Sequence, residues 1–299
     1  MSAFPNFPEK WYRFVGHNLW YIPIDKGIET KGYNILCLHN CGNHKILCFL
    51  SLTILVGYYI LCTERVREGD TMDIHGIQKL TLLDYPGKCA CTVFLAGCNL
   101  RCPFCHNAPL VTGQAPVAMG EEELLAFLKK RRGLLDGVCI TGGEPTLRPD
   151  LPEFIRRIKD LGYLVKLDTN GSNPDMLRRL IGEKILDYVA MDIKNSPENY
   201  SVTCGGVDIL SRVEESLAIL KENNVEYELR TTLCRPFHDE SAMEAIGKWL
   251  SGTKNYYLQA FVDSGDLVGA GVSGFTEEEM KQLQTRLLPY IPNTRIRGI

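Results

Sequence analysis

From Ala90 onward the chain alternates short apolar runs with longer amphipathic stretches. The apolar runs predict strands over 90–95, 137–140, 163–167, 188–193, 227–233 and 256–261. Between and after them, apolar residues recur at three- and four-residue spacing, which predicts helices over 120–132, 151–161, 174–181, 209–223, 239–250 and 276–288. Helix-start chemistry supports two of these: Asn173 precedes Pro174, and three glutamates follow Thr276. Residues 295–298 add a last short strand. Six strand–helix units in succession predict an α/β fold, a parallel sheet covered by helices. Closing or half-closing such a sheet makes a barrel, and ligands gather at the carboxyl ends of its strands.

The chemically active residue types fall at those ends. A cysteine loop follows the first strand, Thr141-Gly142-Gly143-Glu144-Pro145 the second, and Asp168-Thr169-Asn170-Gly171 the third. Asp192 and Lys194 close the fourth, Arg230 lies in the fifth and Gln259 in the sixth. A glycine pair alone says little, because glycines are common in turns. Polar elements placed one per strand end describe a ring of ligands around one mouth.

The cysteine loop reads Gly97-Cys98-Asn99-Leu100-Arg101-Cys102-Pro103-Phe104-Cys105-His106-Asn107. Its thiols follow a Cys-x3-Cys-x2-Cys spacing and are odd in number. Three thiolates on one loop hold three irons of a cubane cluster and leave the fourth open to a small molecule. The competing reading is a structural or zinc-binding set, which would want another cysteine at zinc-knuckle spacing. The next cysteine, Cys139, sits inside an apolar run. Cys89, Cys91 and Cys139 read as small apolar fillers, and Cys204 and Cys234 stand alone, so a second cluster is not expected.

Composition narrows the class. The chain has 299 residues, 45% hydrophobic and 23% charged, with a net charge of −3. It has a core, and it lacks the basic stripe of a nucleic-acid binder. Twelve scattered cysteines in a chain of this size suit a reducing, anaerobic cytoplasm better than a secreted disulfide scaffold. Residues 1–71 differ in character and show no βα rhythm. They include an uncharged run of seventeen residues, 46–62, at the lower limit for a membrane-spanning helix. A membrane anchor, a buried hairpin or helix, and a start codon assigned too early all account for it. The early start is the expectation, because codons for Val66-Arg67-Glu68-Gly69 can form a purine-rich ribosome-binding stretch ahead of Met72. The domain is then 72–299.

CNLRCPFC, TGGEP and the strand-end DTNG together resemble the radical S-adenosylmethionine (radical SAM) enzymes, over Met72 to Ile299. The lead-in Gly76-Ile77-Gln78-Lys79-Leu80-Thr81-Leu82-Leu83-Asp84-Tyr85-Pro86-Gly87-Lys88, with Phe94-Leu95-Ala96-Gly97-Cys98, is similar to the activating enzymes of glycyl-radical enzymes. Within them it resembles the group that activates anaerobic ribonucleoside-triphosphate reductase. The resemblance implies a partial (β/α)6 barrel, a [4Fe–4S] cluster on Cys98, Cys102 and Cys105, and S-adenosylmethionine bound to the open iron.

It further implies that Phe104 lies beside the adenine. Gly142 and Gly143 let backbone approach the methionine moiety, Glu144 accepts from its ammonium or fixes the loop, and Pro145 stiffens the turn. Asp168 and Asn170 contact the ribose or methionyl end, or are simply turn formers. Asp192, Lys194, Arg230 and Gln259 are further candidates for cofactor or substrate, with structural or solvated charge as the other reading. The implied partners are a glycyl-radical enzyme and a flavodoxin- or ferredoxin-type electron donor; the charge pattern gives no nucleic-acid partner, and a membrane is not expected. A radical enzyme acting on a small molecule or peptide, and an iron–sulfur electron carrier, are the alternatives.

Overall fold

A computed structural model describes residues 72–299 except Ser264, and between residues 1 and 71 only the backbone of five strands. The chain divides into two compact units, Met1–Asp70 and Thr71–Ile299. In the first, strands Asn34–Cys41 and His44–Ser51 pair antiparallel, and Ile60–Cys62 pairs antiparallel with His44–Ser51. The apolar run 46–62 thus starts and ends in strands, and its middle, 52–59, lies outside the described residues. Among the described residues no helix is long and apolar enough to cross a membrane.

The second unit is built on one eight-stranded sheet. Its strands are β1 (Gly76–Thr81), β2 (Ala90–Leu95), β3 (Gly137–Gly142), β4 (Leu164–Thr169), β5 (Tyr188–Asp192), β6 (Glu226–Leu233), β7 (Tyr256–Ala260) and β8 (Thr294–Arg297). They lie side by side in chain order. All neighbours from β2 to β8 are parallel, and β1 pairs antiparallel with β2 at one edge. The crossovers carry α1 (Glu121–Lys130), α2 (Leu151–Asp160), α3 (Pro174–Gly182), α4 (Leu210–Lys221), α5 (Glu240–Trp249) and α6 (Glu277–Leu287). These are the six strand–helix units of the sequence, with β8 as the expected last strand.

Periodicity explains the packing. Helix α2 buries Leu151, Phe154, Ile155 and Ile158, one face of a 3.6-residue repeat, against the sheet. Along each strand alternate residues face the helices or the concave side. Val165 and Leu167 of β4 are fully buried, whereas Lys166 and Asp168 share the other face. The Asn173 side chain caps α3 ahead of Pro174, and Thr276 forms a reciprocal capping box with Glu279 at α6.

Two boundaries differ from expectation in a way that matters for the site. Strand β4 continues through Asp168 and Thr169, and β3 through Thr141 and Gly142, because register with their neighbours persists to those residues. Strand β1 was not legible as a strand: Gln78, Lys79 and Leu80 are exposed on a sheet edge, so no half-buried alternation marks it.

Candidate active site

At the carboxyl ends of the strands lies a cavity of about 360 Å³, within the range of small-molecule sites. Cys98, Cys102 and Cys105 line it, together with Phe104, Gly142, Gly143, Asp168, Asn170, Asp192, Lys194, Arg230 and Gln259. Residues far apart in sequence, from Gln78 to Gln259, therefore line one cavity. Glu144 and Pro145 are buried and do not line it.

The cysteine loop is held close to the sheet. The Cys105 N–H donates to the Cys102 carbonyl at 3.0 Å, and the Leu100 N–H to the Cys98 sulfur at 3.4 Å. The Arg101 guanidinium donates to the carbonyls of Cys98 and Leu100, both at 2.8 Å. Asn99, which the sequence did not single out, ties the loop to the end of β4. Its side chain donates to Ser172 at 2.9 Å and accepts from Asn170 at 3.0 Å. Phe104 is buried against Phe237, with ring centroids 6.0 Å apart.

The turn after β3 is glycine-rich for a reason internal to the protein. A side chain on Gly142 would meet the Leu95 carbonyl oxygen at 2.3 Å, and one on Gly143 the Gly97 carbonyl oxygen at 2.0 Å. Gly142 is also in the left-handed region, with φ +116°. The turn thus packs backbone to backbone on the start of the cysteine loop, where the Gly143 and Glu144 N–H groups donate to Leu95 and Gly97. Glu144 turns away from the cavity. Its carboxylate accepts from the Thr146 N–H and hydroxyl, the Thr169 hydroxyl and the Asn170 N–H. Burial pushes its carboxyl pKa up, and these bonds only partly offset that.

A chain of alternating charges crosses the floor. Lys166 pairs with Asp168, Asp168 with Arg230 at 3.1 Å, Arg230 with Asp192 at 2.8 Å, and Asp192 with Lys194 at 3.0 Å. The sheet register sets Asp192 beside Arg230. Burial by itself would raise the Asp192 carboxyl, but Arg230 and Lys194 hold it well below the usual carboxylate range. Asp168 is likewise held low against its burial by Arg230 and Lys166. Of the three cations, Lys194 and Arg230 line the cavity and Lys166 is buried.

Lys166 was missed in the sequence, although its place two residues before Asp168 puts both on one strand face. Asp84 and Thr92, hydrogen-bonded to each other, also line the cavity without having been singled out. Cys139 is more than an apolar filler: its thiol donates to Asp168 at 3.7 Å.

The donors are thiols, the ligands that iron–sulfur clusters take. Among the described residues no three His, Cys, Asp or Glu side chains converge on a point that would hold one metal ion. Three free thiols around one cavity fit a cubane cluster, and Lys194 and Arg230 in the same lining suit a ligand bearing a carboxylate.

Comparison with known proteins agrees. The radical SAM superfamily profile matches residues 92–250. A Methanocaldococcus jannaschii protein, named as a candidate glycyl-radical enzyme activating enzyme, is 35% identical over 236 residues, covering 76% of this chain and 96% of its own. The pyruvate formate-lyase-activating enzyme of Clostridium pasteurianum is 30% identical over 156 residues, covering 49% of this chain and 64% of its own. The solved radical SAM methyltransferase of Sphaerobacter thermophilus shares the fold, with a TM-score of 0.56 at 15% identity over 90% of this chain and 78% of its own. Members of the superfamily use a [4Fe–4S] cluster and S-adenosylmethionine. With a profile match over half its length and the thiols, glycine turn and charged strand ends around one cavity, the chain belongs to the radical SAM superfamily and is a radical SAM enzyme.

Proposed function

We propose that this protein activates a glycyl-radical enzyme by removing a Cα hydrogen from one of its glycines, and that the partner is an anaerobic ribonucleoside-triphosphate reductase. The observation that carries the reading is the likeness to the M. jannaschii protein over 96% of that protein's length. When bound, the cluster and S-adenosylmethionine supply a 5′-deoxyadenosyl radical through one-electron reduction.

The residues of this chain take the following parts. Cys98, Cys102 and Cys105 hold three irons. Lys194 and Arg230 supply the positive charge that receives the methionyl carboxylate, and Asp168 and Asp192 keep both cations fixed. Asn170, already bonded to Asn99, places its amide at the cavity wall near the ribose or methionyl end. Phe104 offers a flat apolar face to the adenine. Gly142, Gly143 and Pro145 shape the turn, and Glu144 locks it to the end of β4. Gln259, which lines the cavity from β7, receives the incoming substrate.

A glycine-bearing loop is a suitable substrate, because it is thin enough to enter the mouth and has no side chain to block its Cα. The electron comes from a flavodoxin- or ferredoxin-type donor in the cytoplasm. Reduced protein mixed anaerobically with S-adenosylmethionine and the reductase is expected to give a glycyl doublet in electron spin resonance. No doublet with the reductase, together with turnover of a small metabolite, would replace the partner reading.

A further inference from the structure

Two segments from other strand ends touch the cysteine loop on either side of Cys102. The first follows β5. There the Arg101 N–H donates to the Cys204 carbonyl at 3.3 Å. A side chain on the next residue, Gly205, would meet the Arg101 carbonyl oxygen at 2.4 Å and its carbon at 2.8 Å. The second follows β7. The Gly269 N–H donates to the Pro103 carbonyl at 2.9 Å and the Val268 N–H to the Cys105 carbonyl at 3.2 Å. A side chain on Gly269 would meet Pro103 Cβ at 2.7 Å and Cα at 2.9 Å.

These glycines are needed for space and not only for conformation. Gly206 has φ +84°, much like Gly205 at +78°, yet nothing lies within 4 Å of where its side chain would be. Gly269 is not among the glycines with positive φ, so contact with Pro103 is the one constraint on it. Arg101 and Pro103 are the two chain neighbours of Cys102, so the contacts bracket that residue.

We propose that Gly205 and Gly269 are positioning residues that clamp the loop around Cys102 and so fix the separation of its sulfur from those of Cys98 and Cys105. The inference rests on the reading that these three cysteines hold the cluster. A cubane accepts its thiolates only at set separations, and the hydrogen bonds within the eight-residue loop do not by themselves enforce them. Backbone packed on Arg101 and on Pro103 does. Any side chain there must push the loop or the clamp aside, and close-packed backbone has little room to give.

The test uses full-length protein reconstituted anaerobically, with Gly205→Ala, Gly206→Ala and Gly269→Ala compared with wild type. Cluster loss to an iron chelator is followed by absorbance. The reduced cluster is examined by electron spin resonance with and without S-adenosylmethionine. Gly205→Ala and Gly269→Ala are expected to lose the cluster at least about tenfold faster than wild type, with a broadened or shifted signal. Gly206→Ala, carrying the same backbone strain, is expected to stay near wild type. Wild-type loss rate and spectrum in Gly269→Ala, or equal defects in Gly205→Ala and Gly206→Ala, would overturn the clamp. A cluster that survives Cys102→Ala would instead overturn the ligand reading, so the two failures are distinguishable.

Discussion

Glu144 accepts the backbone N–H of Asn170 at 2.6 Å, joining the turn after β3 to the end of β4. The same carboxylate takes the Thr169 hydroxyl at 2.7 Å and the Thr146 N–H at 3.1 Å. Two cavity-lining turns are thereby one rigid piece. Glu144 acts on the cavity through the turns that it joins.

Glu144→Ala leaves these donors buried without an acceptor. The expected cost is about 3 kcal/mol, which lowers the melting temperature by about 6–12 °C in a unit of this size. S-adenosylmethionine affinity is expected to fall, while iron loading in the cold stays near wild type, because the residue sits on a different strand end from the cysteines. Calorimetry and iron analysis check this. Loss of iron with an unchanged melting temperature would contradict it.

The cysteines divide by position. Anaerobic reconstitution is expected to give about four irons per chain. Alanine at Cys98, Cys102 or Cys105 is expected to abolish the cluster, and alanine at Cys204 or Cys234 to leave it in place. Iron and sulfide analysis with absorbance near the cluster band decides it.

Asp192 makes stability depend on pH. Its carboxyl is held below its unfolded value by Arg230 and Lys194 against its burial. It therefore contributes stability that is fully present above the unfolded carboxylate pKa and is lost as pH falls toward the folded value. In urea unfolding of the metal-free protein, wild type is expected to exceed Asp192→Asn by a constant margin from neutrality to about pH 5, narrowing below about pH 4. A margin that grows in acid would show the sign to be wrong.

The sheet was readable because parallel strands buried on both faces appear as apolar runs, and because turn chemistry marks their ends. The cavity was readable for the same reason: one pleat face per strand carries Asp168, Arg230 and Gln259 to a common side. Side-chain direction was not readable. TGGEP shows where Glu144 is, but not that its carboxylate points at Thr169 and Asn170. Contacts between distant segments were also hidden, such as Gly269 on Pro103, since nothing local in either segment names the other. Lys166 could have been found, because a lysine in an apolar strand two residues from an aspartate implies a buried pair.

Every candidate site residue lies in Thr71–Ile299. A chain beginning at Met72 is therefore expected to be soluble, load iron fully and cleave S-adenosylmethionine at the full-length rate. Mass spectrometry of the native protein tests the early start itself: a peptide from residues 1–71 would refute it.

The most direct test of the activase account follows one hydrogen. The glycyl-radical partner is prepared with deuterium on its glycine Cα and mixed anaerobically with reduced protein and S-adenosylmethionine. One deuterium is expected in 5′-deoxyadenosine, appearing together with the glycyl doublet and at matching yield. Unlabelled 5′-deoxyadenosine with no doublet, or label arriving from a small metabolite instead, would contradict it.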